Sequence, residues 1–302
     1  PDGRAIVAAV DTLDATHLTV YPYEGAGVPQ IISVPPRANS PTWSALPLPA
    51  SLVSAGGLPL QASALYIEQE TAFPSGLYPL GPLVNGVDAP RPQLSDRVND
   101  SFNAMREGVL AASGRDYLAR LSDAFWDLNQ RPQPGEETRN WHYTGRAFSI
   151  DRNSALVGFP ALIEVAREER GIETQWRVYL RVSDDAQSGQ LGEPLRQMPW
   201  DINSRFEGDI DAYDNGGRLR AEMPQGYYVD LTMLAEDYGW RSLPAGSDWR
   251  LNFNAMNYWL FYKPDGLAWL EAMLEIWTRD QLGAFAPTPT PSPSQTQEQP
   301  EA

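Results

Sequence analysis

The chain has 302 residues, 42% of them hydrophobic and ten of them tryptophan, enough for one large domain or two smaller ones with a real core. Its net charge of −16 argues against nucleic acid or anionic membrane as a partner, since both need a basic face. The lack of cysteine excludes disulfides, thiolate metal sites and Cys nucleophiles, and no apolar run reaches the roughly 18 residues of a membrane span.

Residues 1–46 read as short strands. An apolar run at Ala5–Val10 follows a Pro1-Asp2-Gly3 turn, an alternating run covers Leu18–Tyr23, and Gln30–Val34 is a third strand. His17 falls on a strand edge and reads as structural, because no other ligand type stands near it. Ser40-Pro41-Thr42-Trp43-Ser44 then closes the segment. This order resembles one blade of a TolB-type β-propeller, whose repeats run from Pro-Asp-Gly-Arg to Ser-Pro-x-Trp-Ser. The resemblance implies neighbouring blades, because a blade buries its faces only against others. The pattern stops at Ala45-Leu46-Pro47, and a start at Pro1 without Met reads as a piece of a longer protein.

Residues 47–94 are rich in Pro, Gly, Ser and Leu and read as an irregular connector, with one candidate strand at Ala64–Ile67. Ser95 and Asp96 look like the N-cap of a helix carrying Val98, Phe102, Met105 and Val109 and ending at Gly114. A second short helix is expected over Asp116–Phe125, with Tyr117, Leu118, Leu121 and Phe125 as its stripe. Pro132–Glu137 is a loop. Thr174–Val182 alternates as a strand, Asp230–Tyr238 is a helix ended by Gly239, and Gly266–Trp277 is another with Leu267, Leu270, Met273, Leu274 and Trp277 on one face. From residue 285 the Pro/Ser/Thr-rich composition predicts a disordered tail, of a kind associated with exported, surface-held bacterial proteins.

One stretch carries a chemical pattern: Trp141-His142-Tyr143-Thr144-Gly145-Arg146-Ala147-Phe148-Ser149. It resembles the H-x-x-G-x-A-x-D segment of the zinc D-alanyl-D-alanine carboxypeptidase and dipeptidase family, with Ser149 where the family has a zinc-binding Asp. The resemblance extends over about residues 95–277 and includes Asp237-Tyr238-Gly239-Trp240. A later Glu-x-Trp-His segment of the family aligns with Asn257-Tyr258-Trp259-Leu260. Asn257 then replaces the general base and Leu260 the last zinc ligand. Ser is a poor zinc ligand, Asn accepts no proton at neutral pH, and Leu binds no metal. The resemblance therefore implies an enzyme fold with an emptied metal site, a pseudoenzyme.

Other constellations are weaker. Asp151 shares the face of Ser149 if the strand continues, but stands about 6–7 Å along at ~3.3 Å per residue; a Ser149–His142 hydrogen bond fits better. A Ser–His nucleophile lacks the Gly-x-Ser-x-Gly elbow. Asp209, Asp211 and Asp214 miss the EF-hand spacing, and the C-terminal aromatics read mainly as core.

The expected fold is α+β: an N-terminal β segment (1–46), a connector (47–94), a peptidase-like domain of helices on a small antiparallel sheet (95–284) and a tail (285–302). The expected function is a non-catalytic, extracytoplasmic module. It binds cell-wall peptide, glycan or protein in a cleft formed by His142, Arg146, Ser149, Asn257 and Trp259, with no zinc or other cofactor, no nucleic acid and no membrane span. Two alternatives stand beside it: a hydrolase with rebuilt ligands (His142, Asp151 and a carboxylate from 209–214), and a scaffold whose cleft is filled.

Overall fold

The computed structural model describes the backbone of three N-terminal strands and residues 65–83 and 86–283. It divides into two compact units, 1–62 and 63–302. In the first, β1 (Ala5–Asp11), β2 (Thr16–Pro22) and β3 (Gln30–Ser33) form an antiparallel sheet in chain order. His17 lies on the central strand, opposite Val10 and Ser33, not on an edge. The Trp43-Ser44 closure, residues 47–64, 84 and 85 of the connector, and the tail lie outside the described residues.

The second unit mixes helices with small antiparallel sheets, as α+β. It opens with two short strands, β4 (Leu80–Pro82) and β5 (Gln93–Ser95), paired together. The strand expected at 64–67 is absent from the described part, and Ile67 there is exposed. The segment instead binds through polar groups. Lys263, the chain's only lysine, donates to the Tyr66 hydroxyl at 3.0 Å and to Glu68 Oε1 at 3.1 Å.

Helix α1 (Asn99–Ser113) buries Phe102, Met105 and Val109, one stripe at helical spacing. It starts later than Ser95-Asp96 predicts, because Ser95 belongs to β5 and Val98 takes the cap position without a side-chain bond. The Glu68 carboxylate replaces the missing cap, accepting from the N–H groups of Asp100 and Ser101. Gly114 ends the helix in the left-handed conformation.

The stretch expected as a second helix is a 3-10 turn at Tyr117–Ala119 followed by strand β6 (Leu121–Asp123). Its apolar spacing suited a helix, but the backbone pairs with β7 (Ala147–Ile150) instead. A bulge between Leu121 and Asp123 shifts the register, so that Leu121 opposes Ile150 and Asp123 opposes Ser149.

Strands β8 (Ile163–Arg170) and β9 (Glu173–Arg181) form a long hairpin, with Trp176, Val178 and Leu180 inward and Arg177, Tyr179 and Arg181 half-buried outward. Two residues each form β10 (Trp200–Asp201) and β11 (Arg218–Leu219), on either side of helix α2 (Ile210–Asp214). Strand β12 (Tyr228–Asp230) adds to β9, and Asp230 caps helix α3 (Leu231–Asp237) through the Met233 N–H.

Strands β13 (Arg241–Ser242) and β14 (Leu260–Tyr262) complete a four-stranded sheet in the order β13-β14-β7-β6. Helix α4 (Trp269–Leu274) is shorter than the predicted Gly266–Trp277, and its Leu270 faces outward while Met273 is buried. One core joins α1 to this sheet. Phe148 stacks on Phe261 at 5.4 Å and meets Phe102 and Trp240 edge-on at 5.1 and 5.0 Å. Each such buried ring contributes about 1.5–3 kcal/mol by removal from water.

Candidate functional site

His142 sits on a 3-10 turn, Trp141–Thr144, whose entry is fixed by Asn140 Oδ1 accepting the His142 N–H at 3.0 Å. Gly145 then turns the chain into β7 with φ +64. A β-carbon there would lie 2.9 Å from Ile276 Cδ1 and Leu80 Cδ2 and 3.0 Å from the Ser95 nitrogen. The motif's glycine is thus required both by backbone conformation and by space. Strand alternation does the rest: Phe148 points to the core, and Ser149 points to the opposite face beside His142.

The imidazole is fixed on both nitrogens. Nδ1 lies 2.5 Å from the Ala124 carbonyl, which can only accept, so Nδ1 carries the proton. Nε2 is left as acceptor and takes the Ser149 hydroxyl at 2.9 Å. Trp126 stacks on the ring with centroids 5.2 Å apart. His142 is 1% exposed, and burial holds its pKa below the ordinary histidine value, with Asp123 and the Ala124 carbonyl opposing. The ring is therefore neutral at pH 7.

His142, Ser149, Asn257, Trp259 and Leu260 line one small space, closed further by Asp123, Glu136, Asn140 and Arg152. Its free volume is about 10 Å³, room for about one water. The sequence therefore identified residues that meet. Asn257 adopts φ +57 and spends its amide on the Pro244 carbonyl at 2.9 Å. Leu260 stands opposite Ser149 in the β7–β14 ladder and turns only methyl groups to the space.

Two predicted site residues are elsewhere. Arg146 is fully buried away from this space, bonded to Glu275 (2.9 Å), Asp265 (2.9 Å) and the Lys263 carbonyl (3.1 Å). It precedes Ala147 and so ties β7 to the chain's C-terminal part. Asp151 does not remain on a strand: its carboxylate caps a 3-10 turn, accepting from Asn153 N–H and Ser154 Oγ. Asp209 likewise caps α2.

The polar groups missed from sequence are Asp123, Glu136, Asn140 and Arg152. The guanidinium of Arg152 lies over Trp259 at 4.5 Å. Its Nη2 stands 3.7 Å from Glu136 Oε1 and 3.8 Å from Asp123 Oδ2, attracted by both carboxylates but hydrogen-bonded to neither. Asp123 also accepts from Trp126 Nε1 at 2.9 Å. Burial raises the Glu136 pKa, while the Gln133 N–H and Arg152 pull it down. Glu136 rides on the 132–137 loop, which Asn254 fastens through the Pro134 carbonyl at 2.9 Å. The double Glu136-Glu137 in that loop was the available signal; Asp123 was hidden by the helix expected across it.

These donors do not fit a catalytic zinc. Nε2 is engaged by a hydroxyl, the strand position opposite carries Leu260, and Asp151 is turned away. Among the described residues no three His, Asp or Glu side chains are grouped to hold a metal, and no helix is long and apolar enough to cross a membrane. No family model, curated protein or solved structure matches this chain.

Proposed function

We propose that this domain is a non-catalytic, peptidase-like binding module, part of an extracytoplasmic protein, which receives the carboxylate end of a cell-wall peptide. The observation that carries the reading is the Ser149 hydroxyl on His142 Nε2, the lone pair that a metal or a water-activating base would need. The ligand class follows from Arg152. Its guanidinium lies over the Trp259 ring, and its neighbouring carboxylates stand beyond hydrogen-bond range. An incoming carboxylate can bind such a fork bidentately and displace Glu136. Glycan and protein ligands remain the alternatives within the same reading.

The test is calorimetric titration with a pentapeptide ending in D-Ala-D-Ala and with its C-terminal amide. The acid is expected to bind at least tenfold tighter than the amide, without release of D-Ala. An Arg152→Gln variant is expected to lose the difference. Equal binding of acid and amide removes the carboxylate assignment; zinc-dependent release of D-Ala removes the module reading.

One observation favours a second reading. Ser149 Oγ, His142 Nε2 and the Ala124 carbonyl on Nδ1 have the order of nucleophile, base and orienting group. Burial speaks against it: Ser149 and His142 are each 1% exposed, whereas the Arg152 side chain, which would meet the ligand in the first reading, is 17% exposed. Labelling of Ser149 by a fluorophosphonate would establish that chemistry.

A further inference from the structure

A cleft with room for about one water cannot hold a peptide end, so something must move before a ligand enters. The part that closes it comes from a surface loop. Residues 129–139 contain no helix or strand, and most of them are exposed. The Glu136 side chain, by contrast, is 6% exposed and reaches into the cleft beside Arg152. Both ends of the loop are anchored. The Tyr143 hydroxyl donates to the Gln130 carbonyl, and Trp269 Nε1 donates to the Asn140 carbonyl at 3.0 Å.

Between those anchors, the Glu136 carboxylate and its turn form one piece. Glu136 Oε2 accepts the Gln133 N–H at 2.8 Å, and the Glu136 N–H donates to the Gln133 carbonyl at 2.9 Å. Asn254, which does not line the cleft, fastens this piece by donating to the Pro134 carbonyl at 2.9 Å. The carboxylate gains little from the place it occupies. Its guanidinium partner stands 3.7 Å away and is shared with Asp123 at 3.8 Å. Burial and the Asp123 charge both work against its ionised form. A weakly held anion therefore sits on the one guanidinium that an incoming carboxylate would use.

We propose that residues 132–137 are a lid, and that Glu136 is its built-in competitor, holding the cleft shut until a ligand carboxylate takes its place at Arg152. This rests on the reading of Arg152 as the carboxylate receptor. The apparent affinity is then the intrinsic affinity reduced by the fraction of molecules with the lid open. Loosening the lid raises the affinity without touching any ligand contact.

The experiment uses the intact chain and two variants, Asn254→Ala and Glu136→Ala. The first readout needs no ligand: the rate at which phenylglyoxal modifies Arg152, located by peptide mass spectrometry. Asn254→Ala is expected to raise that rate about two- to tenfold, the worth of one hydrogen bond, and Glu136→Ala at least as much. Arg146, fully buried elsewhere, is expected to stay unmodified in all three proteins. The second readout is calorimetric titration with the D-Ala-D-Ala pentapeptide, whose affinity is expected to rise by the same factor as the Arg152 rate. An Arg152 rate equal in parent and variants overturns the lid. So does modification of Arg146 alongside Arg152 in both variants, which would make the loop part of the core fold. A faster Arg152 with unchanged peptide affinity overturns the role of Glu136 as competitor. A faster Arg152 with no preference for the peptide acid over its amide removes the carboxylate reading and leaves the lid standing.

Discussion

Ser149 and Leu260 stand directly opposite each other on neighbouring strands and line the same small space as His142. Their positions, not only their types, decide what the pocket can hold. If the three side chains converge as described, donor atoms can be restored by substitution. A Ser149→Asp/Leu260→His double variant is expected to retain about one zinc per chain after dialysis, as a site with two imidazoles and a carboxylate does. The parent chain is expected to retain none. Loss of zinc from the double variant would show that the three positions do not face one point.

Burial depresses the His142 pKa, so the unfolded chain binds more protons than the folded one as pH falls through the ordinary value of 6.5. The stability this group provides is full above 6.5 and is lost as pH drops below it. Thermal midpoints measured between pH 7.5 and 5.5 should therefore fall. The fall should be shallower in His142→Gln, which has no proton to take up. Equal slopes in the two proteins would place the acid sensitivity elsewhere.

Gly145 is the structural hinge of the motif. A Gly145→Ala change places a β-carbon on a left-handed backbone, costing about 1–2 kcal/mol, and into contact with Leu80, Ile276 and the Ser95 backbone, costing about 1–3 kcal/mol more. A denaturant midpoint reduced by an amount in that combined range is expected. A change below about 0.5 kcal/mol, the usual scatter of neutral surface sites, would contradict the turn geometry.

Arg146 and Arg152 should separate cleanly. Removing Arg146 takes the close partner from Glu275, which keeps only Arg97 at 3.8 Å, and leaves the partly exposed Asp265 to water, so Arg146→Ala is expected to destabilise the fold by about 3 kcal/mol. Acid-over-amide selectivity for the peptide should be retained wherever the variant is folded. Arg152→Gln should do the reverse: little loss in denaturation, full loss of selectivity. An Arg146→Ala protein of normal stability and lost selectivity would return Arg146 to the cleft.

Much of this was legible in the residues, and the reason differs from place to place. The alternation of Trp176, Val178 and Leu180 identified β9 because one face of that strand is core. His142, Ser149, Asn257 and Trp259 line one space, and their grouping was legible because two spaced segments of the sequence could be laid side by side. Arg146 could not be placed, because a fully buried guanidinium and a cleft guanidinium look alike until Glu275 and Asp265 arrive from more than a hundred residues away. Asp123 was lost for a related reason: Leu118, Leu121 and Phe125 are all buried, at a spacing that suits a helix, but pairing with β7 decides the backbone. The helix cap at 95–96 failed because the capping carboxylate, Glu68, comes from a segment with no helical pattern at all.

The most direct test of the account is nitrogen-15 NMR of the imidazole rings, of which the chain has only two, His17 and His142. For His142 the account predicts a ring that is neutral at pH 7 with the proton on Nδ1, that protonates only below the ordinary value of 6.5, and that is unmoved by added zinc. A ring that titrates near 6.5, or an Nε2 resonance that shifts to a metal-bound value on addition of one equivalent of zinc, would contradict it.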